Sequence, residues 1–267
     1  MAKWSWRKIT RVALAAPVLC LLVLGVEALI AIPGPDDHFH NPDRKPVRLG
    51  EPGKAWTYVV LGDSTGAGRG GHYETGIAMQ TARHLARVRP IVLVNLAVSG
   101  AKVRDVERDQ LPAALRLNPD VVLLAIGAND VTHFTSSGRI QAGLSTILTA
   151  LAQARPGVRV VLTGSPDVGS VRRFAQPLRW VAGLETRRVN HVVDAVIAAA
   201  QSRRESVVLA PIAEDIGPQF RKDAGLLAPD RFHPNDRGYA LWVPVLNAAL
   251  DKLLPASDDK PQNAHHP

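Results

Sequence analysis

Short apolar runs rich in valine, isoleucine and leucine recur along the middle of the chain. They cover residues 57–62, 91–97, 120–126, 158–164 and 206–210. Continuous apolar runs, rather than alternating ones, are typical of strands that are buried on both faces of a parallel sheet. Each run therefore predicts an internal β-strand.

Between these runs lie longer stretches in which apolar residues recur every three or four positions. This spacing predicts amphipathic helices at residues 76–88, 138–154, 183–203 and 236–254. Strands that alternate with helices are typical of an α/β domain in which helices cover both faces of the sheet. We therefore predict a three-layer, doubly wound parallel α/β fold with about five strands.

The N-terminal segment has the pattern of a membrane span. Several basic residues precede residues 12–32, which are almost entirely apolar. At about 1.5 Å per residue, a helix of this length would cross the ~30 Å hydrocarbon core of a bilayer, and the basic flank favours an N-terminus inside the cell. We expect residues 1–32 to form a single-pass anchor in the cell membrane, with the domain outside the cytoplasm. Cleavage near Ala28, which would give a secreted protein, is the alternative.

The segments that flank the α/β region have few apolar residues. Residues 33–55 combine several prolines with mixed charges, and this composition predicts an extended linker. Residues 255–267 are polar and contain further prolines, so we expect a disordered tail. The folded domain should therefore extend over residues 56–254.

Composition narrows the classes of function. The net charge is +8, but much of it lies in the N-terminal basic flank, and the remaining arginines are scattered. Because nucleic-acid binding needs a concentrated basic face, we expect no nucleic-acid partner. The one cysteine, Cys20, cannot form an intramolecular disulfide. The sequence has no zinc-ligand pattern, and we expect neither a metal nor another cofactor.

Residues with catalytic potential follow three of the predicted strands. Ser64 comes directly after the first strand, Gly100 follows the second and Asn129 follows the third. Ligand sites in open parallel sheets gather at the carboxyl ends of the strands, so these residues should lie close together. Serine offers a nucleophilic hydroxyl, glycine allows close approach of the backbone to a ligand, and asparagine offers an amide donor.

A carboxylate and an imidazole lie three positions apart near the end of the domain, in Asp230-Arg231-Phe232-His233. A serine hydroxyl becomes an effective nucleophile when a neighbouring base accepts its proton and a third group orients that base. Ser64, His233 and Asp230 can fill these three roles.

Taken together, these blocks resemble the SGNH/GDSL hydrolase family. The resemblance rests on Gly-Asp-Ser around Ser64, on Gly100, on Gly-Ala-Asn-Asp around Asn129, and on Asp-Arg-Phe-His ending at His233. The blocks occur in this order, and the resemblance covers residues 56–254. It implies the flavodoxin-like fold of SGNH hydrolases.

The resemblance also implies roles for these residues. Ser64 would be the nucleophile, His233 the general base and Asp230 the residue that orients the imidazole. Asp167 also follows a predicted strand, but the Asp-x-x-His spacing of Asp230 matches the family block. The oxyanion hole would comprise the backbone N–H groups of Ser64 and Gly100 and the side-chain amide of Asn129.

Two neighbouring features have other expected roles. Asp63 and Asp130 are expected to fix the loops by hydrogen bonds and to take no part in catalysis. An apolar cluster after the fourth strand would either pack in the core or form a substrate wall or lid that faces the membrane; it comprises Phe174, Pro177, Leu178 and Trp180.

The function implied by the resemblance is metal-independent hydrolysis of carboxylic esters through an acyl-enzyme on Ser64. Lipids, acyl thioesters and acylated sugars are all consistent with the family. An acyltransferase or deacetylase that acts on envelope sugars is one alternative, and a noncatalytic envelope-binding module is another. We expect a monomer that meets its ester substrate at the membrane to which residues 12–32 attach it.

Overall fold

The computed structural model describes residues 23–26 and 39–254 of the chain. Most of the predicted anchor at 12–32, the predicted tail at 255–267 and Cys20 lie outside these residues. Among the described residues, no helix combines the length and the apolar character needed to cross a membrane.

The described residues contain a six-stranded sheet, and five of its strands match the predicted apolar runs closely. The strands are β1 (Val47–Leu49), β2 (Trp56–Gly62), β3 (Ile91–Asn95), β4 (Val121–Ala125), β5 (Arg159–Leu162) and β6 (Ser206–Leu209). Their spatial order is β1-β3-β2-β4-β5-β6. Strands β2 to β6 are parallel, and the predicted α/β fold is confirmed.

The edge strand β1 was not predicted, because it lies where the sequence indicates a linker. Val47 and Leu49 pair antiparallel with Leu93 and Ile91 of β3, which makes the sheet mixed and adds a sixth strand. A short edge strand keeps one side in contact with solvent, so it needs no continuous apolar run. Its sequence therefore lacks the signal that identified the other strands.

Helices cover both faces of the sheet. They are α1 (Ser64–Ala67), α2 (Ile77–Leu85), α3 (Val103–Asp105), α4 (Leu111–Leu117), α5 (Ala128–Thr132), α6 (Ser137–Ala154), α7 (Leu178–Ser202), α8 (Ile212–Lys222) and α9 (Asp236–Asp251). The four predicted helices correspond to α2, α6, α7 and α9. A π-helical turn, Val106–Gln110, joins α3 to α4. Helix α8 was missed because Gly217 and Pro218, both poor helix formers, interrupt its pattern.

The sheet separates two apolar cores. Val59 and Leu61 of β2 contribute to the core beneath α6 and α7, whereas Tyr58 and Val60 contribute to the core beneath α2, α8 and α9. Successive side chains of a strand point to opposite faces, so a central strand with helices on both sides must be apolar at every position. This explains the uninterrupted apolar run Tyr58–Leu61 within β2.

The end of β2 lies very close to the neighbouring strand β4. Gly62 has φ +134°, and a Cβ atom there would lie 1.8 Å from the carbonyl oxygen of Ala125 in β4. The side chain of Gln110 accepts a hydrogen bond from the Gly62 N–H and donates one to its carbonyl, both at 2.8 Å. Only glycine fits this conformation and this close approach, after which the chain turns directly into α1.

Asp63 begins helix α1 and is almost fully buried. Its Oδ1 accepts hydrogen bonds from the Thr65 N–H at 2.9 Å and from the Thr65 hydroxyl at 2.8 Å, as expected of an N-cap. Burial raises the pKa of Asp63 to about 6, although the bonds from Thr65 act in the opposite direction. Asp63 therefore holds the turn on which Ser64 lies.

We predict that Gly62→Ala destabilises the protein by at least about 3 kcal/mol, because the new methyl group would both strain the backbone and overlap β4. The matched control is Gly138→Ala in α6, where a Cβ atom meets nothing described within 4 Å. That change should stabilise the protein by up to about 1 kcal/mol, because alanine favours helix. Urea unfolding of both variants measures the difference, and equal midpoints would contradict the prediction.

We predict a pH-dependent contribution from Asp63. Its pKa in the folded state, about 6, lies above the ordinary value, so the folded state binds a proton more tightly than the unfolded chain. The contribution to the free energy of unfolding should therefore fall by about 3 kcal/mol as the pH rises from about 4 to about 6. Asp63→Asn should lack this fall. Urea unfolding of both proteins across this range tests it, and parallel curves would refute the assignment.

Candidate active site

Three of the predicted site residues form a continuous hydrogen-bonded chain. The Ser64 Oγ lies 2.9 Å from His233 Nε2, and His233 Nδ1 forms a short hydrogen bond with Asp230 Oδ2. All three side chains are buried. The order of hydroxyl, imidazole and carboxylate is the order that the transfer of a serine proton to a base requires.

Ser64 is held by the short helix α1 at the end of β2. Gly68 ends this helix with φ +85°, and its N–H donates back to the carbonyl of Thr65 at 3.2 Å. The side chain of Asn95, at the end of β3, donates to the carbonyl of Gly66 at 2.9 Å. The neighbouring strand therefore fixes the turn that carries the Ser64 hydroxyl.

The turn from Asp230 to His233 folds around the Asp230 carboxylate. Oδ1 accepts the backbone N–H groups of Phe232 at 2.9 Å and His233 at 3.0 Å, which leaves Oδ2 for the imidazole. Arg231 has φ +58°, a left-handed conformation that brings the carboxylate beneath the imidazole. Burial raises the pKa of Asp230, but the hydrogen bond and charge of His233, together with these N–H groups, outweigh it and hold the pKa well below its usual range. Asp230 is therefore ionised.

The three groups predicted to form an oxyanion hole line the same cavity. Ser64, Gly100 and Asn129 follow β2, β3 and β4, which are adjacent in the sheet. Gly100 has φ +87°, so its backbone conformation favours glycine although the space around it is open. The amide of Asn129 donates to the carbonyl of Ala101 at 3.0 Å. Helix α5 is capped by Gly127, so Asn129 is not its N-cap.

The other carboxylates at this edge have different partners. Asp130 accepts a hydrogen bond from the Val103 N–H at 3.1 Å, and burial raises its pKa. Asp167 pairs with Arg221 at 2.5 Å, whereas Asp230 pairs with His233. Asp130 therefore ties the start of α5 to the first residue of α3, and Asp230, not Asp167, is the carboxylate in contact with His233.

The cavity beside Ser64 has a volume of about 570 Å³ and a largely apolar wall. Phe174 and Leu178 of the predicted apolar cluster line it, whereas Trp180 is 63% exposed. The sequence did not identify several residues that line this cavity. They lie on loops or at helix ends, and no local sequence pattern indicates that these segments come together. They are Arg69, His133, Phe134, Arg173 and Phe232.

The fold recurs in solved structures of hydrolases. The crystal structure of TesA is 23% identical, with a TM-score of 0.60 over 74% of this chain and 99% of that one. A family 3 carbohydrate esterase of Clostridium thermocellum is 18% identical, with a TM-score of 0.59 over 75% of this chain and 98% of that one. At these identities the similarity shows a shared fold.

Comparisons of sequence, in addition to fold, identify the family of the chain. A GDSL-like esterase of Mycobacterium tuberculosis is 31% identical over 209 residues, which are 76% of this chain and 64% of that protein. The chain thus spans less than two thirds of the length of that relative. The profile of the GDSL-like lipase/acylhydrolase family matches residues 60–241, a segment that contains Ser64, Asn129 and His233. The chain therefore belongs to the GDSL-like lipase/acylhydrolase family.

Proposed function

We propose that the protein hydrolyses carboxylic esters through an acyl-enzyme on Ser64. The observation that carries the proposal is the hydrogen-bonded chain from the Ser64 hydroxyl through His233 to Asp230. Membership of the GDSL-like family supports it. A noncatalytic binding module would not require a nucleophile, a base and an ionised carboxylate in direct contact.

The reaction would proceed in two halves. The Ser64 oxygen attacks the ester carbonyl carbon while His233 Nε2 accepts the hydroxyl proton. The bond to the alcohol then breaks, His233 donates its proton to the departing oxygen, and the acyl group remains on Ser64. In the second half, water attacks this acyl group and passes a proton to His233. The acid departs and Ser64 recovers its proton, while Asp230 stabilises the imidazolium throughout.

The tetrahedral intermediate of each half carries a negative oxygen. The backbone N–H groups of Ser64 and Gly100 and the side-chain amide of Asn129 would donate to it. Donors that already point at the position where charge develops stabilise the transition state more than the bound ester. The Asn129 amide has two N–H donors, and one of them donates to the Ala101 carbonyl at 3.0 Å, which orients the amide and leaves the second N–H for the oxyanion.

The cavity supports an ester with a substantial apolar part. Its volume of about 570 Å³ lies within the usual range for small-molecule sites. Phe134, Phe174 and Leu178 give it an apolar wall, which favours an acyl chain longer than acetyl. The apolar run at residues 12–32 supports action at the outer face of a cell membrane, with secretion as the alternative. We propose a monomer that needs no cofactor.

Removal of the nucleophile or the base should abolish activity. We expect Ser64→Ala and His233→Ala to lower the turnover of p-nitrophenyl esters by about 10⁶-fold, and Asp230→Ala by about 10⁴-fold, because the orienting acid contributes less than the groups that move the proton. The control is Ser170→Ala. Ser170 is a buried serine near the same sheet edge, whose hydroxyl donates to the Asp167 carbonyl at 2.6 Å.

A fluorophosphonate probe tests the same assignment without a substrate. It should label the wild type and Ser170→Ala at Ser64 and leave Ser64→Ala unlabelled. Circular dichroism should show that every variant is folded. Retained turnover in folded Ser64→Ala would exclude Ser64 as the nucleophile.

Asn129→Ala should lower kcat by about 10²–10³-fold with a smaller change in KM, because the amide donates chiefly to the oxyanion of the transition state. Steady-state kinetics with an acyl series measure both constants. A change confined to KM would show instead that Asn129 only binds the ester.

A further inference from the structure

The segment of residues 171–174, between β5 and α7, lies directly against the turn that carries Asp230 and His233. The backbone N–H groups of Arg172 and Arg173 both donate to the carbonyl oxygen of Arg231, at 3.0 and 2.9 Å. Arg231 is the residue with φ +58°. A left-handed residue other than glycine persists only when its surroundings hold it, and these two hydrogen bonds are part of that support.

The side chain of Arg173 makes three further contacts with the same turn. Its Nε donates to the backbone carbonyl of Asp230 at 3.1 Å, and its Nη2 lies 3.8 Å from Asp230 Oδ2. Its Cζ lies 5.3 Å from the centre of the Phe232 ring. The guanidinium side chain is only 20% exposed. One side chain thus contacts the backbone, the carboxylate and the aromatic ring of the turn.

Phe232 extends this contact to the imidazole. Its ring packs edge to face against His233 at 5.0 Å and against Phe174 at 5.9 Å. Edge-to-face aromatic pairs have a preferred geometry, so the position of Phe232 limits the tilt of the imidazole. Arg173 and Phe174, which lie outside the turn, therefore form one side of the surroundings of His233 through their contacts with Phe232.

The contacts within the turn cannot by themselves place the imidazole against the nucleophile. The bonds from Asp230 to Phe232 and His233 fix the internal shape of the turn. They do not fix its distance from Ser64, which lies on α1 and is 169 positions away in sequence. Contacts with other segments must set that distance, and the Arg173 guanidinium provides a charge-assisted contact at the Asp230 end.

We propose that Arg173 is a positioning residue, which holds the Asp230–His233 turn in the register that brings His233 Nε2 to the Ser64 hydroxyl. This inference rests on the proposed function of Ser64 as the nucleophile. Arg173 acts through Asp230 and Phe232 and does not itself take part in proton transfer.

Two effects of Arg173 on the reaction have opposite signs. Its contacts hold the turn in place, which favours catalysis. Its positive charge near Asp230 weakens the stabilisation of the imidazolium that forms when His233 accepts the serine proton. The bond from Nε goes to the backbone carbonyl at 3.1 Å, whereas the approach to the carboxylate is longer, at 3.8 Å. Positioning therefore outweighs the charge effect, and loss of Arg173 slows the reaction.

The test uses Arg173→Met and Arg173→Lys in the full chain. Methionine keeps an apolar stem but removes the donors and the charge, and kcat for a p-nitrophenyl ester falls by about 10- to 100-fold while KM changes by less than about threefold. Lysine restores a cation and a donor and recovers part of kcat. The rate of fluorophosphonate labelling at Ser64 falls in parallel with kcat, because that rate reports the reactivity of the serine before any deacylation.

Chemical rescue separates positioning from a general loss of structure. Arg173→Ala regains activity in a saturable manner when guanidinium chloride is added at concentrations well below those that unfold the protein, and sodium chloride at equal ionic strength has no such effect. The matched control is Arg203→Met, which removes an arginine–carboxylate pair with Glu205 at the opposite edge of the sheet. This control keeps the wild-type kcat and shows no rescue. Melting temperatures establish that each variant is folded.

Three results would overturn the proposal. Unchanged kcat and labelling in folded Arg173→Met would show that the turn needs no such support. Increased kcat would show that the charge effect dominates. Loss of activity with no rescue by lysine or guanidinium would indicate a general packing role. If the wild type itself neither labels at Ser64 nor hydrolyses esters, the proposed function fails, and that result is distinct from all three.

Discussion

The hydrogen bond between the Ser64 hydroxyl and the His233 imidazole joins two segments that are 169 positions apart in the chain. Ser64 is placed by the end of a central strand, where Gly62 passes within contact distance of β4 and Gln110 bonds both of its backbone groups. His233 is placed by a turn in which the Asp230 carboxylate accepts the backbone N–H groups of Phe232 and His233. Because a hydrogen bond of this kind weakens steeply with distance and angle, both supports must be rigid. The packed parallel sheet provides one of them directly, and the loops that cross its carboxyl edge provide the other.

Much of this arrangement could be predicted from the sequence, because strands that are buried on both faces have a recognisable apolar pattern. Strands β2 to β6 were identified by largely uninterrupted apolar runs, and helices α2, α6, α7 and α9 by their apolar periodicity. Edge strand β1 has no such apolar pattern, since it is only partly buried. The irregular path through α3, the π-helical turn and α4 was also missed. Its wide turn carries Gln110 to the backbone of Gly62, and such a long-range contact is not visible in local periodicity.

The residues of the candidate site likewise differ in whether a local sequence pattern identifies them. Ser64, Gly100 and Asn129 could be located because each follows a strand that the sequence reveals. His233 and Asp230 could be located because their spacing is local. Arg173, His133 and Phe134 could not, since they reach the cavity only through the packing of loops and helix ends from different parts of the chain. Residues whose positions depend on the sheet are therefore predictable, whereas residues that shape the cavity depend on tertiary contacts.

Two carboxylates at this edge of the sheet have different roles because their surroundings shift their pKa values in opposite directions. Asp63 and Asp230 are both buried, and each accepts hydrogen bonds from nearby N–H groups. Burial dominates at Asp63, whose pKa rises to about 6, because its hydrogen-bond donors from Thr65 are neutral. At Asp230 the imidazole adds a partner that can become a cation, and the pKa falls instead. An ionised carboxylate that is hydrogen-bonded to an imidazole can stabilise the imidazolium. A buried carboxylate that is bonded only to neutral donors is suited to hold a turn. The separation of the two pKa values therefore supports the division of roles, with Asp230 in the proton-transfer chain and Asp63 at the start of the helix that presents Ser64.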